Sequence, residues 1–378
     1  MPEIKEMLAE LHGVCADPRA QLDAALARGR KAVGVLPYFC PEELVYAAGM
    51  LPFGRWGAEI ECTRSGRYYP AFTCSLLHTA LEMGLRGMLD GLSAVMVPLC
   101  CDSLKCFGPN WTYGVGRIPV IDAAWAQNRK TAAGAAFTRA RFRHVLGKLE
   151  EIAGRKVADG EIASAIAVYN DNRAALRAFS HAAAAHPEAV NPAARCSVIR
   201  AGYFMDRAAH TEKLRALTKA LEALPESKWT GLRLVTTGIL ADGKALLEML
   251  EGEGMAVAAD QVAQESGFYR TDTPVTADPV EGMALRLGLL EGCSVLFDPG
   301  KERGKELVRL AREAGADGVL WVMTKFCDPE EFDYVPVRRM LEEAGIPLLA
   351  VETDQQQQSC EQARSALQAF GEMLRGRG

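Results

Sequence analysis

Gly318-Val319-Leu320-Trp321-Val322-Met323, then Thr324, then Lys325-Phe326-Cys327-Asp328-Pro329-Glu330-Glu331 is the stretch that decides the fold. Its first six residues are a β-branched and aromatic run of strand length, and Asp-Pro followed by two acids marks a helix start. The Cys327 thiol therefore stands at the carboxyl end of a strand, where open α/β sheets place their chemistry. Taken alone it is equally well a buried packing residue, because free cysteine behaves as a small hydrophobe.

Two other thiols occupy comparable corners. Ala94-Val95-Met96-Val97-Pro98-Leu99 is a second buried-strand pattern and runs into Cys100-Cys101-Asp102-Ser103, again a thiol and a capping acid at a strand-to-helix junction. Cys74, in Phe72-Thr73-Cys74-Ser75, opens the helical pattern Leu76, Leu77, Ala80, Leu81, Leu85. A thiol at a helix N-terminus feels the positive end of the dipole, which favours the thiolate, the form that binds metal.

The chain of 378 residues has room for two or three domains, and 49% apolar with 24% charged residues is ordinary for a globular protein. A net charge of -5 without a dense basic run argues against nucleic acid or an anionic membrane as partner. No apolar stretch is long enough to cross a bilayer, and Met1-Pro2-Glu3-Ile4-Lys5-Glu6 lacks the order of a secretory signal, so a cytoplasmic location is expected. Eleven cysteines, an odd number in a large chain, do not fit a disulfide framework and point to metal or redox chemistry for some of them. The absence of any Cys-x-x-Cys pair excludes a ferredoxin-type run or a zinc ribbon, and the six histidines form no ligand pair at helical spacing.

The pattern along the chain is α/β, then helical, then α/β. Residues 1–126 read as an N-terminal α/β domain, with strands at 32–36, 50–54, 94–99 and 118–121. Residues 127–228 carry helical periodicity alone, for example Phe142, Val145, Leu146, Leu149, and read as a helical subdomain. Residues 229–378 alternate again, with strands expected at 232–237, 256–259, 294–297, 318–323 and 347–351. Such alternation specifies right-handed crossovers, hence two doubly wound, Rossmann-like parallel-sheet domains with a helical subdomain between them. No glycine-rich loop joins a strand to a helix as a dinucleotide or phosphate site requires, and no nucleophile elbow is present.

Three thiolates on rigid corners suit a cluster held at a domain interface. Iron-sulfur clusters take cysteine thiolates, usually four, so the fourth position would fall to Cys100, to a non-protein ligand or to solvent. Structural zinc, which needs four ligands, and simple core packing are the competing readings.

A family resemblance adds to this. Pro41-Glu42-Glu43-Leu44-Val45-Tyr46-Ala47-Ala48-Gly49-Met50, Phe72-Thr73-Cys74, Leu81-Glu82-Met83, Leu99-Cys100-Cys101-Asp102-Ser103-Leu104 and Phe326-Cys327-Asp328-Pro329-Glu330-Glu331 resemble the 2-hydroxyacyl-CoA dehydratase family. So do Ala167-Val168-Tyr169-Asn170, Ala201-Gly202-Tyr203-Phe204-Met205 and the tail from Glu361 to Phe370, so the resemblance covers essentially the whole chain. Length and several strings are most similar to the beta-type subunits, with (R)-2-hydroxyglutaryl-CoA as the implied substrate. The resemblance implies one 4Fe-4S cluster held by Cys74, Cys101 and Cys327, an alpha-type partner subunit, and a transient ATP-hydrolysing iron-sulfur activator that injects one electron. It also implies a lyase reaction: an electron on the acyl-CoA thioester gives a ketyl radical, which expels the 2-hydroxyl and acidifies the carbon-3 proton. The beta cluster would relay or store that electron. Cys100 departs from the family's single cysteine before Asp, and Cys101 is chosen because it directly precedes Asp102. Related benzoyl-CoA or double-cubane-type reductases, or a non-enzymatic zinc or thiol scaffold, remain alternatives.

Other notable residues read as structural. Glu42 and Glu43 suit the first turn of a helix, Asp102 and Asp328 suit caps or local hydrogen-bond acceptors, and Trp56, Trp111 and Trp321 suit core or interface anchors. Gln355 to Gln358 is expected to be solvated. Arg64, Arg67, Arg270 and Lys325 are candidates to face a CoA phosphate without any supporting spacing.

Overall fold

The structure, a computed structural model, describes residues 2–356 and 361–377. The first part runs α1 (Pro2–Ala16), α2 (Pro18–Ala27), β1 (Ala32–Val35), α3 (Glu42–Ala47), β2 (Leu51–Gly54), α4 (Ser75–Leu85), β3 (Ala94–Pro98), α5 (Asp102–Gly114) and β4 (Val120–Ala123). Four helices follow: α6 (Ala132–Ala153), α7 (Asp159–Ala185), α8 (Pro192–Ala201) and α9 (Arg207–Glu222). The last part is β5 (Leu232–Gly238), α10 (Lys244–Gly252), β6 (Met255–Val262), a π-helical turn (Ala263–Gly267), α11 (Pro279–Leu289), α12 (Glu302–Glu313), β7 (Gly318–Thr324), α13 (Asp328–Glu343), β8 (Leu348–Thr353) and α14 (Glu361–Arg375).

All strand pairs are parallel, and the two sheets have the same topology, β2-β1-β3-β4 and β6-β5-β7-β8. The doubly wound α/β class expected from the sequence is therefore present twice. In each sheet the chain reverses its winding beside the first strand, which creates a crevice at the carboxyl ends of β1 and β3, and of β5 and β7. Helices start where the sequence supplies an acceptor: Asp17, Thr131, Asn191, Asp206 and Asp278 each accept a backbone N–H at an N-cap, three of them with proline next in the chain.

Strand β7 shows why its sequence is apolar throughout. Leu320 and Val322 pack on the core under α10 and α14, whereas Val319 and Trp321 pack on the opposite core under α12 and α13. A strand covered on both faces has no polar alternation to show. The largest core is continuous from the first sheet through the four central helices. α1 packs on α8 and α9, and α11 packs on α6 and α7. Among the described residues no helix is long and apolar enough to cross a membrane.

One expected strand is missing. Ser294-Val295-Leu296-Phe297 forms turns, not a strand, and pairs with nothing. The run is only four residues long and is followed by Asp298-Pro299-Gly300, a turn sequence, and Phe297 is left exposed. The fourth strand lies two residues later than its apolar run suggests. α11 and the π-helical turn were not foreseen.

Candidate functional site

The three thiols stand at one structural position used three times. Cys74 is the N-cap residue of α4, Cys101 of α5 and Cys327 of α13, and none of these caps carries a side-chain hydrogen bond to the helix. Asp102 and Asp328 stand one residue further in and are exposed, so the thiols hold the cap positions, and of the two expected roles Asp102 fills that of local acceptor. Asp102 pairs with Lys105 at 2.9 Å.

Local geometry fixes each corner. Before Cys327, Phe326 adopts φ 61°, a left-handed conformation that turns the chain from β7 into α13. The buried Glu330 carboxylate accepts from the Thr324 backbone N–H and the Trp321 Nε1–H, both at 3.0 Å, and ties the helix start to its strand. The Cys100 carbonyl accepts from Gln127 Nε2–H at 3.0 Å. Cys74 is followed by Ser75, whose hydroxyl accepts the Gln355 backbone N–H at 3.2 Å.

Gln355 also donates to the Trp56 carbonyl at 2.9 Å and accepts from the Thr79 hydroxyl at 2.8 Å, so it bridges the two sheet domains and is not a solvated residue. Gln357 and Gln358 lie outside the described residues. Trp56, Trp111 and Trp321 are buried, in keeping with core anchors. Arg270 Nη2 donates to the Asp260 carbonyl at 3.1 Å, and Nη1 of the exposed Arg64 donates to the Leu85 carbonyl at 3.1 Å. Lys325 lies 5.3 Å from the centre of the Phe326 ring.

The corners belong to different sheets, yet their thiols share one electrostatic neighbourhood. Burial pushes the Cys74 thiol up to about 12, with Cys101 the next contributor, and the Cys327 thiol is raised by burial, by Glu330 and by both other thiols. All three are half-buried, and Cys327, from the second sheet, packs on the core of the first. Cys101 is the exception in charge. The neighbouring Cys100 thiol and the backbone N–H groups at the start of α5 lower its pKa, whereas burial raises that of Cys100 well above the usual thiol value. Cys101 is therefore the member of the pair suited to be a thiolate, and Cys100 is its buried, protonated neighbour.

Among the described residues no three His, Cys, Asp or Glu side chains close around a single metal ion. A tetrahedral zinc site needs four donors at about 2.0–2.3 Å from one point, which this arrangement does not supply. A polynuclear group spreads its metal atoms apart and suits thiols that are neighbours without converging. Three free thiols at helix N-termini, with no competing hydrogen bond on their caps, are the donor set such a group takes.

Glu42 and Glu43 are more than first-turn acids. Glu42 pairs with Arg207 of α9 at 2.9 Å, and Glu43 pairs with Arg173 of α7, all four side chains being buried. Their role is structural, as expected, but it lies in fixing the first sheet to the central helices. Sequence reading passed over the π-helical turn, where Arg195 pairs with Asp260 and Glu265. It also passed over Arg55, which no local pattern distinguishes.

A doubly wound pair of domains with thiol corners at their crevices defines a class of subunit, and comparison with known proteins places the chain within it. Residues 37–374 match the family model described as 2-hydroxyglutaryl-CoA dehydratase, D-component, and the chain belongs to that family. It is 43% identical to the (R)-phenyllactyl-CoA dehydratase beta subunit of Clostridium sporogenes, over 92% of each chain. It is 38% identical to the (R)-2-hydroxyglutaryl-CoA dehydratase subunit beta of Acidaminococcus fermentans, over 98% of this chain and 100% of that one. Against the lactoyl-CoA dehydratase subunit beta of Anaerotignum propionicum it is 37% identical, over 99% and 100%.

Proposed function

We propose that this chain is the beta-type subunit of a 2-hydroxyacyl-CoA dehydratase and holds a 4Fe-4S cluster through Cys74, Cys101 and Cys327. The observation that carries the reading is that three helix-capping thiols, from both sheet crevices, fall within one electrostatic neighbourhood. When bound, the cluster would accept, store and pass on the single electron that the elimination of water from an (R)-2-hydroxyacyl-CoA requires. The protein's part is to hold the thiolates. Cys101 is held by the start of α5, Cys327 by the turn at Phe326 and the Glu330 brace, and Cys74 by the start of α4.

Relatives named as beta subunits support an alpha-type partner, and the absence of a phosphate loop in the sequence fits a separate ATP-dependent activator as electron donor. The relatives' names share a 2-hydroxyacyl-CoA and differ in the acyl chain, so 2-hydroxyglutaryl-CoA is one substrate to assay among several.

The test is anaerobic reconstitution with iron and sulfide, followed by metal analysis of the wild type and of Cys74→Ser, Cys101→Ser and Cys327→Ser. The expected result is about four irons per chain in the wild type, with iron lost or depleted in each variant. A wild type that binds no iron, or three variants that all keep full iron and activity in the assembled complex, would refute the reading.

A further inference from the structure

The boundary between the two sheet domains also holds a cavity of about 650 Å³ that none of the three thiol corners lines. Its walls come from every part of the fold: Phe53 and Gly54 at the end of β2, Met83 of α4, Arg200 near the end of α8, Asp242 in the loop between β5 and α10, and Gln355 after β8. Strand ends and domain boundaries are where α/β proteins hold small molecules, and this volume lies within the range of such sites. Phe53, Trp56, Met83, Leu89 and Phe204 make much of the wall apolar.

The polar groups in the wall are unevenly committed. Its acids are in use: Asp17 accepts the Ala20 backbone N–H at 2.9 Å, Glu59 accepts the Lys244 backbone N–H at 2.9 Å, and Asp242 accepts from Gln264 Nε2–H at 2.9 Å and pairs with Arg200 at 3.3 Å. Gln355 is engaged with the Trp56 carbonyl and the Thr79 hydroxyl, and Arg19 with Asp23 and the Asp90 carbonyl. Arg200 is different. The contact with Asp242 is its one ion pair among the described residues, whereas a guanidinium offers five N–H donors. Arg195, on the same helix, serves two carboxylates at once, Asp260 and Glu265. Lys244 adds an exposed ammonium, 3.8 Å from Glu248. Trp56 is 4% exposed, and its indole N–H is buried with no acceptor among the described residues, although a buried indole usually has one. Apolar walls with donors in surplus and acceptors already taken are the pattern that recognises an anion carried on an apolar body.

We propose that this cavity is a binding site for a monocarboxylate with an apolar body: the carboxylate pairs with Arg200 alongside Asp242, and the body packs against Phe53, Trp56, Met83, Leu89 and Phe204. Binding makes and breaks no covalent bond, and the site stands whether or not the thiols hold a metal. Because its walls belong to both sheets and to the central helices, an occupant ties the two halves of the chain together and stabilises the folded state by mass action.

The experiment is calorimetric titration of the full-length chain with 2-naphthoate, and with the uncharged 2-naphthamide as its isostere, in the wild type, Arg200→Gln and Ala58→Trp. Ala58 is half-buried in the cavity wall, so an indole placed there fills the space. The wild type is expected to bind 2-naphthoate saturably and the amide about tenfold more weakly, the loss that removing a charge-assisted pair implies. Arg200→Gln is expected to weaken 2-naphthoate about tenfold and leave the amide unchanged, and Ala58→Trp to bind neither. No saturable binding of 2-naphthoate to the wild type up to about 1 mM, equal affinity for acid and amide, or unchanged acid binding in either variant overturns the proposal. Thermal unfolding shows whether each variant is folded; should one of them fail, the acid-to-amide ratio in the wild type together with the other variant decides. The titration needs no iron, so its failure and the failure of the cluster reading are separate results.

Discussion

Replacing Glu43 by glutamine tests whether the central helices are fixed to the first sheet by buried charge. Glu43 is 3% exposed, pairs with Arg173 and accepts from the Thr273 hydroxyl at 3.3 Å. Arg173 also donates to Asn170 Oδ1 at 2.7 Å and to the Thr273 hydroxyl at 3.2 Å, while Asn170 and the Thr273 backbone exchange bonds of 2.9 and 2.8 Å. Three distant segments of the chain thus meet at one carboxylate. Glu43→Gln keeps the shape but leaves the Arg173 charge buried and uncompensated, a loss of about 3–5 kcal/mol for a pair of this kind. With a urea m-value of about 3 kcal/mol/M or somewhat more for a chain this large, the unfolding midpoint should fall by about 1 M. Glu43→Gln with Arg173→Met, which removes both charges, should recover more than half of the loss.

The pH dependence has a definite sign. Burial raises the Glu43 carboxyl, but Arg173 and Arg286 outweigh it and hold the group below the usual carboxylate range. Its contribution is therefore present above the unfolded carboxyl pKa of about 4.3 and is lost as pH falls through the lower folded value. The deficit of Glu43→Gln should narrow in acid. A midpoint shift below about 0.3 M at pH 7, or a double variant no better than the single, would refute the reasoning.

Cys100→Ala is expected to retain the iron of the wild type if, as proposed, the three ligands are Cys74, Cys101 and Cys327 and the buried Cys100 stays protonated; iron analysis after reconstitution checks it. Glu265 is raised by burial to about 7, since Asp260, whose own pKa is lowered, shares Arg195 with it. A raised carboxyl stabilises the fold below its unfolded pKa and loses that contribution as pH rises toward 7, about 3 kcal/mol in all. Urea midpoints of Glu265→Gln should accordingly lack the decline expected of the wild type between about pH 4 and 7. Gly238, with φ 148°, ends β5 where an added Cβ would lie 2.2 Å from the Val322 carbonyl oxygen. Gly238→Ala should therefore cost about 2 kcal/mol or more, read by thermal unfolding.

The sheets were legible because their strands carry the signature of burial on both faces. β7 is the clearest case, seven residues with neighbours on each side. Ser294-Val295-Leu296-Phe297 has the same local composition, but composition does not say whether a neighbouring strand is present to pair with it. α11 begins with Asp278-Pro279, the same local start signal as Asp17-Pro18 at α2. The thiol corners could be found because a helix cap is a local event. Their shared neighbourhood could not, since sequence separation carries no distance across a domain interface. Arg55 and Gln355 were invisible for a related reason: what makes them notable is the lack of a partner in one case and a partner in the other domain in the second.

The duplicated sheet order has a consequence for how the protein is made. Synthesis delivers Cys74 and Cys101 with the first sheet, whereas Cys327 follows β7, near the end of the chain, and cannot reach them until the second sheet has formed and docked. During that interval two thiols stand ready without a third. The proposed metal load is thus a record of completed folding: a chain stalled after its first half could not carry it, and iron per chain would count the molecules in which both halves have closed.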